Sequence, residues 1–262
     1  MTAIRGARER ARSEITAAIK DEARTQLAAE GATKLSLRAV ARALGMASSA
    51  LYRYFPSRDD LLTALILDAY HAIGAAAEAA DPGAGGSGPS GSGPSGSAEP
   101  GGPVVVGGPD AAVCVERWAA VCGGVRAWAL AHPHEYALIY GTPVPGYRAP
   151  QATAAPAGRV ARALIAVVCD AHAAGALREP PGPLPDTLAD EARALMTELD
   201  IDLPAPVVAA LVATWAQLFG LISFELFGQF NRVVEDRDAF FAHTVRRLAG
   251  GVGLSADPAG SA

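Results

Sequence analysis

A chain of 262 residues, 50% apolar and 19% charged with a formal charge of −5, has room for one small and one larger domain, each with its own core. Its start, Met-Thr-Ala-Ile-Arg-Gly-Ala-Arg-Glu-Arg, carries charge and no apolar run, so a secretory signal is not expected and the cytoplasm is the expected compartment. Cys114, Cys122 and Cys169 are odd in number and lack metal-ligand spacing, which points to reduced thiols in a core.

The charge is unevenly spread. Residues 1–60 hold eleven Lys/Arg against seven Asp/Glu, and the remainder holds eleven against twenty. A basic head on an acidic body attracts phosphate to one end of the molecule and keeps polyanions off the other.

From about Arg5 to Glu30 the pattern predicts one amphipathic helix, with Ile15, Ala18, Ile19, Ala23 and Leu27 as its buried stripe and Gly31 closing it. Leu37, Val40, Ala41 and Leu44 then recur at helical spacing behind Ser36, a good N-cap. Gly45 supplies the left-handed residue that ends a helix and turns the chain. A second short helix begins at Ala47 or Ser48, with Ser48 as cap, and turns Leu51 and Phe55 inward. Its outer face carries Ser48, Ser49, Ala50, Tyr52, Arg53 and Tyr54. This is a helix-turn-helix, whose second helix is offered to a major groove. Ser57 caps the next helix, with Asp59 and Asp60 in its first turn, and Leu61, Leu62, Leu65, Ile66, Ala69 and Ile73 carry it to about Ala80.

The run Leu51-Tyr52-Arg53-Tyr54-Phe55, followed by Pro56 to Leu62, resembles the DNA-binding module of TetR-family regulators, and the likeness spans roughly Ile15 to Asp68. In that family a Leu/Val-Tyr-x-Tyr/His-Phe string ends the recognition helix, and a basic residue opens a long connecting helix. The resemblance implies roles. Ser36 and Arg38 stand near the groove edge, while Ser48, Ser49 and Ala50 read base edges, with Ala50 suited to a thymine methyl. Tyr52, Tyr54 and Arg58 are placed for phosphates, and Arg53 for either partner. Arg5, Arg8 and Arg12 would reach the DNA backbone as a flexible arm, or simply form a solvated helical face. The Tyr52 ring can alternatively pack on the first helix of the motif.

Asp81 to Pro109 repeats Gly-Ser-Gly-Pro-Ser and has nothing to bury, so a disordered loop is expected. Two formal Gly-x-Gly-x-x-Gly matches inside it, Gly86/Gly88/Gly91 and Gly91/Gly93/Gly96, carry prolines and follow no strand, which excludes a dinucleotide site. Helices follow over Ala111–Ala131, ended by His132-Pro133, and over Glu135–Tyr140, closed by Gly141. Others are expected from Pro156 to about Gly175, around Leu184–Leu199, over Val207–Phe227 and over Asp236–Ala249. The string from Trp128 through Pro133, Tyr136, Gly141, Pro143 and Gly146-Tyr147 resembles the ligand-binding half of one TetR subgroup, the WHG type. That subgroup has His before the glycine of Trp-x-x-x-x-Gly, whereas Trp215 to Gly220 has Phe219 here, so a ligand contact through that histidine is absent or replaced.

Val207–Phe227 is apolar nearly all round and long enough for a bilayer. It also holds Thr214, Gln217, Ser223 and Glu225, and a charge is costly in lipid. The resemblance implies instead a homodimer through 205–230 and 236–250, with no membrane. Trp118, Trp128, Tyr136, Tyr140, Trp215 and Phe219 are the aromatic candidates for an effector site, and the lack of a charged cluster there suits an apolar or aromatic small molecule. Each of these rings can equally be core.

No Gly-x-Ser-x-Gly elbow, P-loop or His-Glu-x-x-His string is present, and His71, His132, His134, His172 and His243 are scattered. No catalytic residue, metal or cofactor is expected. The expected architecture is all-α: residues 1–56 form a three-helix helix-turn-helix DNA-binding domain and residues 57–252 a larger helical-bundle ligand-binding and dimerisation domain. Residues 253–262 are expected to be a disordered tail. The expected function is a transcriptional regulator, a repressor released from a pseudo-palindromic operator by a small-molecule effector. The alternative is a helical ligand-binding or scaffold protein that no longer binds DNA.

Overall fold

The computed structural model of the chain describes residues 2–83 and 109–255, with side chains from residue 6 onward. Its elements are α1 (Thr2–Glu30), α2 (Leu37–Ala43), α3 (Ser48–Leu51), α4 (Arg58–Ala80), α5 (Ala111–Ala131), α6 (Pro133–Tyr140), α7 (Ala154–Ala157), α8 (Arg159–Ala173), α9 (Asp186–Leu199), α10 (Ala205–Leu226) and α11 (Arg237–Gly251). Among the described residues there is no strand, only an isolated antiparallel bridge between Leu177 and Leu254. The fold is all-α. The repeat expected to be a loop lies, from 84 to 108, outside the described residues, as do 256–262.

The chain forms two compact units, one of Met1–Gly74 with Ala127–Arg159, the other of Ala75–Arg126 with Val160–Ala262. The expected boundary at residue 56 lies within the first unit. In the first unit, Ile19, Ala23 and Leu27 of α1 meet Leu37, Val40 and Ala41 of α2, Leu51, Phe55, and Leu61, Leu62 and Leu65 of α4 in one core. Each of the larger side chains, the two alanines aside, contributes roughly 1.5–3 kcal/mol relative to exposure. Leu138, Val144 and Tyr147 pack against this core, and the Tyr147 and Thr63 hydroxyls lie 2.9 Å apart. The segment after α5 thus belongs to the amino-terminal unit, although its sequence suggests the body.

Local chemistry explains the ends. The Ser36 hydroxyl accepts from the Ala39 N–H at 3.4 Å, and Gly45 has φ 65°, the left-handed value that the turn between α2 and α3 requires. Ser57 Oγ accepts from the Asp60 N–H at 3.1 Å and donates to its carboxylate at 2.7 Å, a reciprocal cap on α4. Pro133 opens α6 at N1. Helix α1 is regular from Thr2, so of the two alternatives for Arg8 and Arg12 the exposed helical face is the one seen; the Arg5 side chain lies outside the described residues. One expectation for α1 changes. Ala18 is exposed, and a polar link replaces it: Lys20 and Arg24 both reach Asp68 of α4, at 2.8 and 2.6 Å, and Arg24 also reaches Glu135 of α6 at 3.0 Å.

In the second unit, Trp118, Val121, Cys122 and Val125 of α5 are buried, as are Val167 and Val168 of α8, Leu218 and Ile222 of α10, and Val245 of α11. The core includes charge. Arg117 is buried and forks onto both Asp81 oxygens at 2.8 Å, with Asp170 at 2.8 Å on its remaining nitrogen. Arg126 forks likewise onto buried Glu225 at 2.7 and 2.6 Å and lies over the Phe241 ring. Such pairs are stable only because each lone pair lost from water finds a donor. Burial pushes the Cys122 thiol up to about 12, so it stays protonated at neutral pH.

The helix expected from Pro156 is divided at Gly158 into α7 and α8. Of the tail expected from residue 253, residues 253–255 are described, and the first two of them are packed. Leu254 is 1% exposed, and Arg178 N–H donates to the Gly253 carbonyl at 3.0 Å. Gly253 has φ 97°, and a side chain there would strike the Arg178 carbonyl, so the ordered turn depends on glycine. Finally, three helical stretches, Arg58–Ala80, Gln151–Ala173 and Ala205–Leu226, are long and apolar enough to cross a membrane, where the sequence reading singled out only the last. Within that one, Glu225 is neutralised by Arg126 inside the unit's own packing.

Candidate nucleic-acid interface

The helix-turn-helix presents a small polar face. Leu51 and Phe55 anchor α3 in the core, while Ser48, Ser49, Tyr52 and Arg53 are exposed, Tyr52 at 42%. Ala47, not Ser48, is the N-cap, with no side-chain hydrogen bond, so the Ser48 hydroxyl is spared for an outside partner. The helix is shorter than expected. After Leu51 the chain tightens, with Arg53 N–H donating to Ala50 and Tyr54 N–H to Leu51. That tightening divides the expected outer face: Ala50 and Tyr54 are half-buried.

Tyr54 packs against the core, and the Arg12 guanidinium lies 5.4 Å from its ring centre. Arg12 is thereby fixed beside the recognition turn by a cation–π contact. Arg38 and Arg42 of α2 are exposed, and Ser36, half-buried, spends one hydroxyl lone pair on the cap of α2. Arg58, expected to meet phosphate, is also held from within the fold. Its guanidinium turns inward and donates to the carbonyls of Ala32 at 2.7 Å, Leu35 at 3.2 Å and Thr33 at 3.4 Å. Charge on a helix's first residue reads as solvated in a sequence; only the fold shows carbonyls in reach.

The six effector candidates divide between the two units, three in each. Trp118 is fully buried and donates its indole N–H to the Val245 carbonyl at 3.1 Å, which makes it core of the second unit. Trp215 and Phe219 meet edge to face at 5.5 Å in the same unit. Trp128 stacks on His132 at 5.0 Å in the first unit. There too Tyr136 and Tyr140 lie 5.2 Å apart, with Tyr70 edge-on to Tyr140 at 6.1 Å. Burial raises the Tyr70 and Tyr140 hydroxyls above the ordinary phenol range, Tyr147 adding to the effect on Tyr70 and Tyr70 and Tyr136 to that on Tyr140. Both therefore remain neutral donors at neutral pH.

On α10 and α11 lies an open apolar groove of about 310 Å³, lined by Gln217, Gly220, Leu221, Phe224, Phe230, Phe240, Thr244 and Leu248. Phe230 meets Phe224 at 5.7 Å and Phe240 at 5.4 Å, so a continuous row of rings faces outward.

Comparison with known proteins matches both halves. Residues 19–65 fit the family model described as bacterial regulatory proteins, tetR family. Residues 118–248 fit that of the tetracyclin repressor-like C-terminal domain. HTH-type transcriptional regulator Rv1816 of Mycobacterium tuberculosis (strain ATCC 25618 / H37Rv) is 35% identical over 227 residues, 86% of each chain. HTH-type transcriptional regulator Mb1846 of Mycobacterium bovis matches to the same extent, 35% over 86% of each chain. Among solved structures, SCO4313, a protein classed as regulatory, is 35% identical with a TM-score of 0.66, covering 92% of this chain and 98% of that one. A protein of unknown function from Rhodococcus sp. RHA1 shares the fold at 22% identity and a TM-score of 0.56, with 88% and 93% covered.

Proposed function

The chain belongs to the TetR family and is a DNA-binding transcriptional regulator, and we propose that it acts as a homodimeric repressor of a pseudo-palindromic operator. The observation that carries the reading is the division of α3, with Leu51 and Phe55 inward and Ser48, Ser49, Tyr52 and Arg53 outward. Two such faces, related by a two-fold axis, enter successive major grooves about 34–36 Å apart. Ser48 and Ser49 read base edges, with Ala50 behind them; Tyr52 and Tyr54, with Arg12 beside the latter, meet phosphates; Arg53 serves either, and Ser36 and Arg38 border the groove.

The second copy docks through 205–230 and 236–250. The outward ring row of α10 and α11 supports this, since a contiguous apolar patch marks an interface more often than a bare surface. An apolar or aromatic small molecule held between helices favours a conformation in which α4 spoils the groove spacing. It does so only through its differential affinity for the two states. The regulator works in the cytoplasm, where operator and effector meet.

Selection of bound duplexes from a random pool by the purified protein tests the reading. Tyr52→Ala should weaken all selected duplexes alike, and Arg53→Ala should shift the preferred bases. Unchanged binding in both variants would remove these roles, and no enrichment by the wild type would leave the ligand-binding or scaffold alternative.

A further inference from the structure

The inward guanidinium at the start of α4 has a task of its own. Arg58 is the first residue of the helix, where the backbone dipole disfavours a cation. Three carbonyls offset that cost. Those of Ala32 and Thr33 belong to the 3-10 turn Ala32–Lys34, and that of Leu35 follows it directly. The turn's own backbone bonds are long, Lys34 N–H to the Gly31 carbonyl at 3.2 Å and Leu35 N–H to the Ala32 carbonyl at 3.4 Å, and buried Leu35 anchors it on the core side. By contrast Arg58 grips the Ala32 carbonyl at 2.7 Å. The next residues are Ser36, the cap of α2, and Leu37, buried in the core. The start of α2 is therefore tied to the start of α4 across this turn.

We infer that Arg58 is a positioning residue for DNA recognition: it fixes the turn at residues 32–35, and through it the seating of α2 and α3, without touching phosphate. The inference rests on the DNA-binding reading. It departs from the phosphate role expected of a cation at this position. Geometry separates the two roles, because a planar fork can hold several carbonyls where an ammonium acts as a point charge.

The test compares the full-length wild type with Arg58→Lys and Arg58→Gln on two probes, a duplex selected by the wild type and a random-sequence duplex, over a salt series. Amide hydrogen exchange of the free proteins is followed in parallel. In both variants affinity for the selected duplex should fall roughly tenfold, the scale of one mismatched base pair. The salt slope should stay that of the wild type, and Arg58→Lys should bind the random duplex as the wild type does. The Leu35 and Ala39 amides should exchange faster in both variants. A phosphate ligand behaves differently: Arg58→Lys would bind normally and Arg58→Gln would lower the slope by about 0.9, and that result overturns the inference. So would equal losses on both duplexes, which mark general destabilisation, or wild-type exchange at Leu35 and Ala39. A wild type that ignores both duplexes would defeat the DNA-binding reading, while the exchange rates would still decide what Arg58 holds.

Discussion

The outward faces of α3 and of α10 with α11 contrast in what they show to water. The first shows two serines, a tyrosine and an arginine over a core of Leu51 and Phe55. The second shows Phe224 at 52% exposure, with Phe240 also exposed and Phe230 between them in the groove. Scattered apolar residues on a surface need no explanation, but a row of rings in one groove does. Hydroxyls and a guanidinium on a short helix and the tight turn after it suit a polyanion whose edges carry donors and acceptors. Aromatic rings suit a partner that excludes water, and a second copy of the same face is the partner proposed here.

The largest effect is expected from breaking the apolar face. Phe224→Asp with Phe240→Asp should leave a folded monomer in sedimentation equilibrium. Loss of the linked second half-site should weaken operator binding by about 10²–10⁴-fold. Dimers that persist in this variant would move the interface elsewhere.

Next comes the charge inside the body. Arg117→Met leaves the Asp81 carboxylate buried without its fork and should cost about 3–5 kcal/mol in urea unfolding. Adding Asp81→Leu should restore part of that loss. Well below the transition, the affinity of Arg117→Met for DNA should match the wild type, because this cluster takes no part in the polar face.

Leu51→Ala undercuts the polar face from behind. A fully buried leucine lost from this core should cost about 2–5 kcal/mol, and duplex binding should weaken although no outward residue has changed. Ser57→Ala removes the cap of α4 and should cost about 1 kcal/mol, read as a lowered thermal midpoint.

The smallest effect is in acid. Hydrogen bonds from Arg117, against the opposing push of burial and with help from the Gly83 N–H, hold the Asp81 carboxyl below the usual carboxylate range. A depressed carboxylate contributes stability that is fully present above the unfolded aspartate value of about 4 and is lost as pH falls through its folded value. Urea midpoints taken between about pH 5 and pH 2 should therefore drop less steeply in Asp81→Asn than in the wild type.

Much of the helix order could be read from single residues. Ser36, Gly45, Ser57, Pro133 and Asp236 each act within a few positions of themselves, so their chemistry is written locally. Asp236, for instance, accepts from the Ala239 N–H just as an N-cap should. The outward set Ser48, Ser49, Tyr52 and Arg53 was legible for the same reason, being the complement of a buried stripe. What escaped was the pairing of charges far apart in the chain. Arg117 with Asp81 and Asp170, Arg126 with Glu225, and Arg24 with Asp68 and Glu135 each look like solvated residues until the helices meet. Arg58 is the sharpest case, since carbonyls are not written in a sequence at all. The packing of Leu138, Val144 and Tyr147 on the amino-terminal core was hidden likewise, because apolar spacing says that a face is buried and not which core receives it.

The most direct measurement is the stoichiometry and salt dependence of binding to duplexes selected by the wild-type protein. The account predicts selected sequences with two inverted half-sites one helical turn apart, bound by two chains, with affinity falling steeply as salt rises. A single chain bound to an asymmetric site, or binding indifferent to salt, would contradict it.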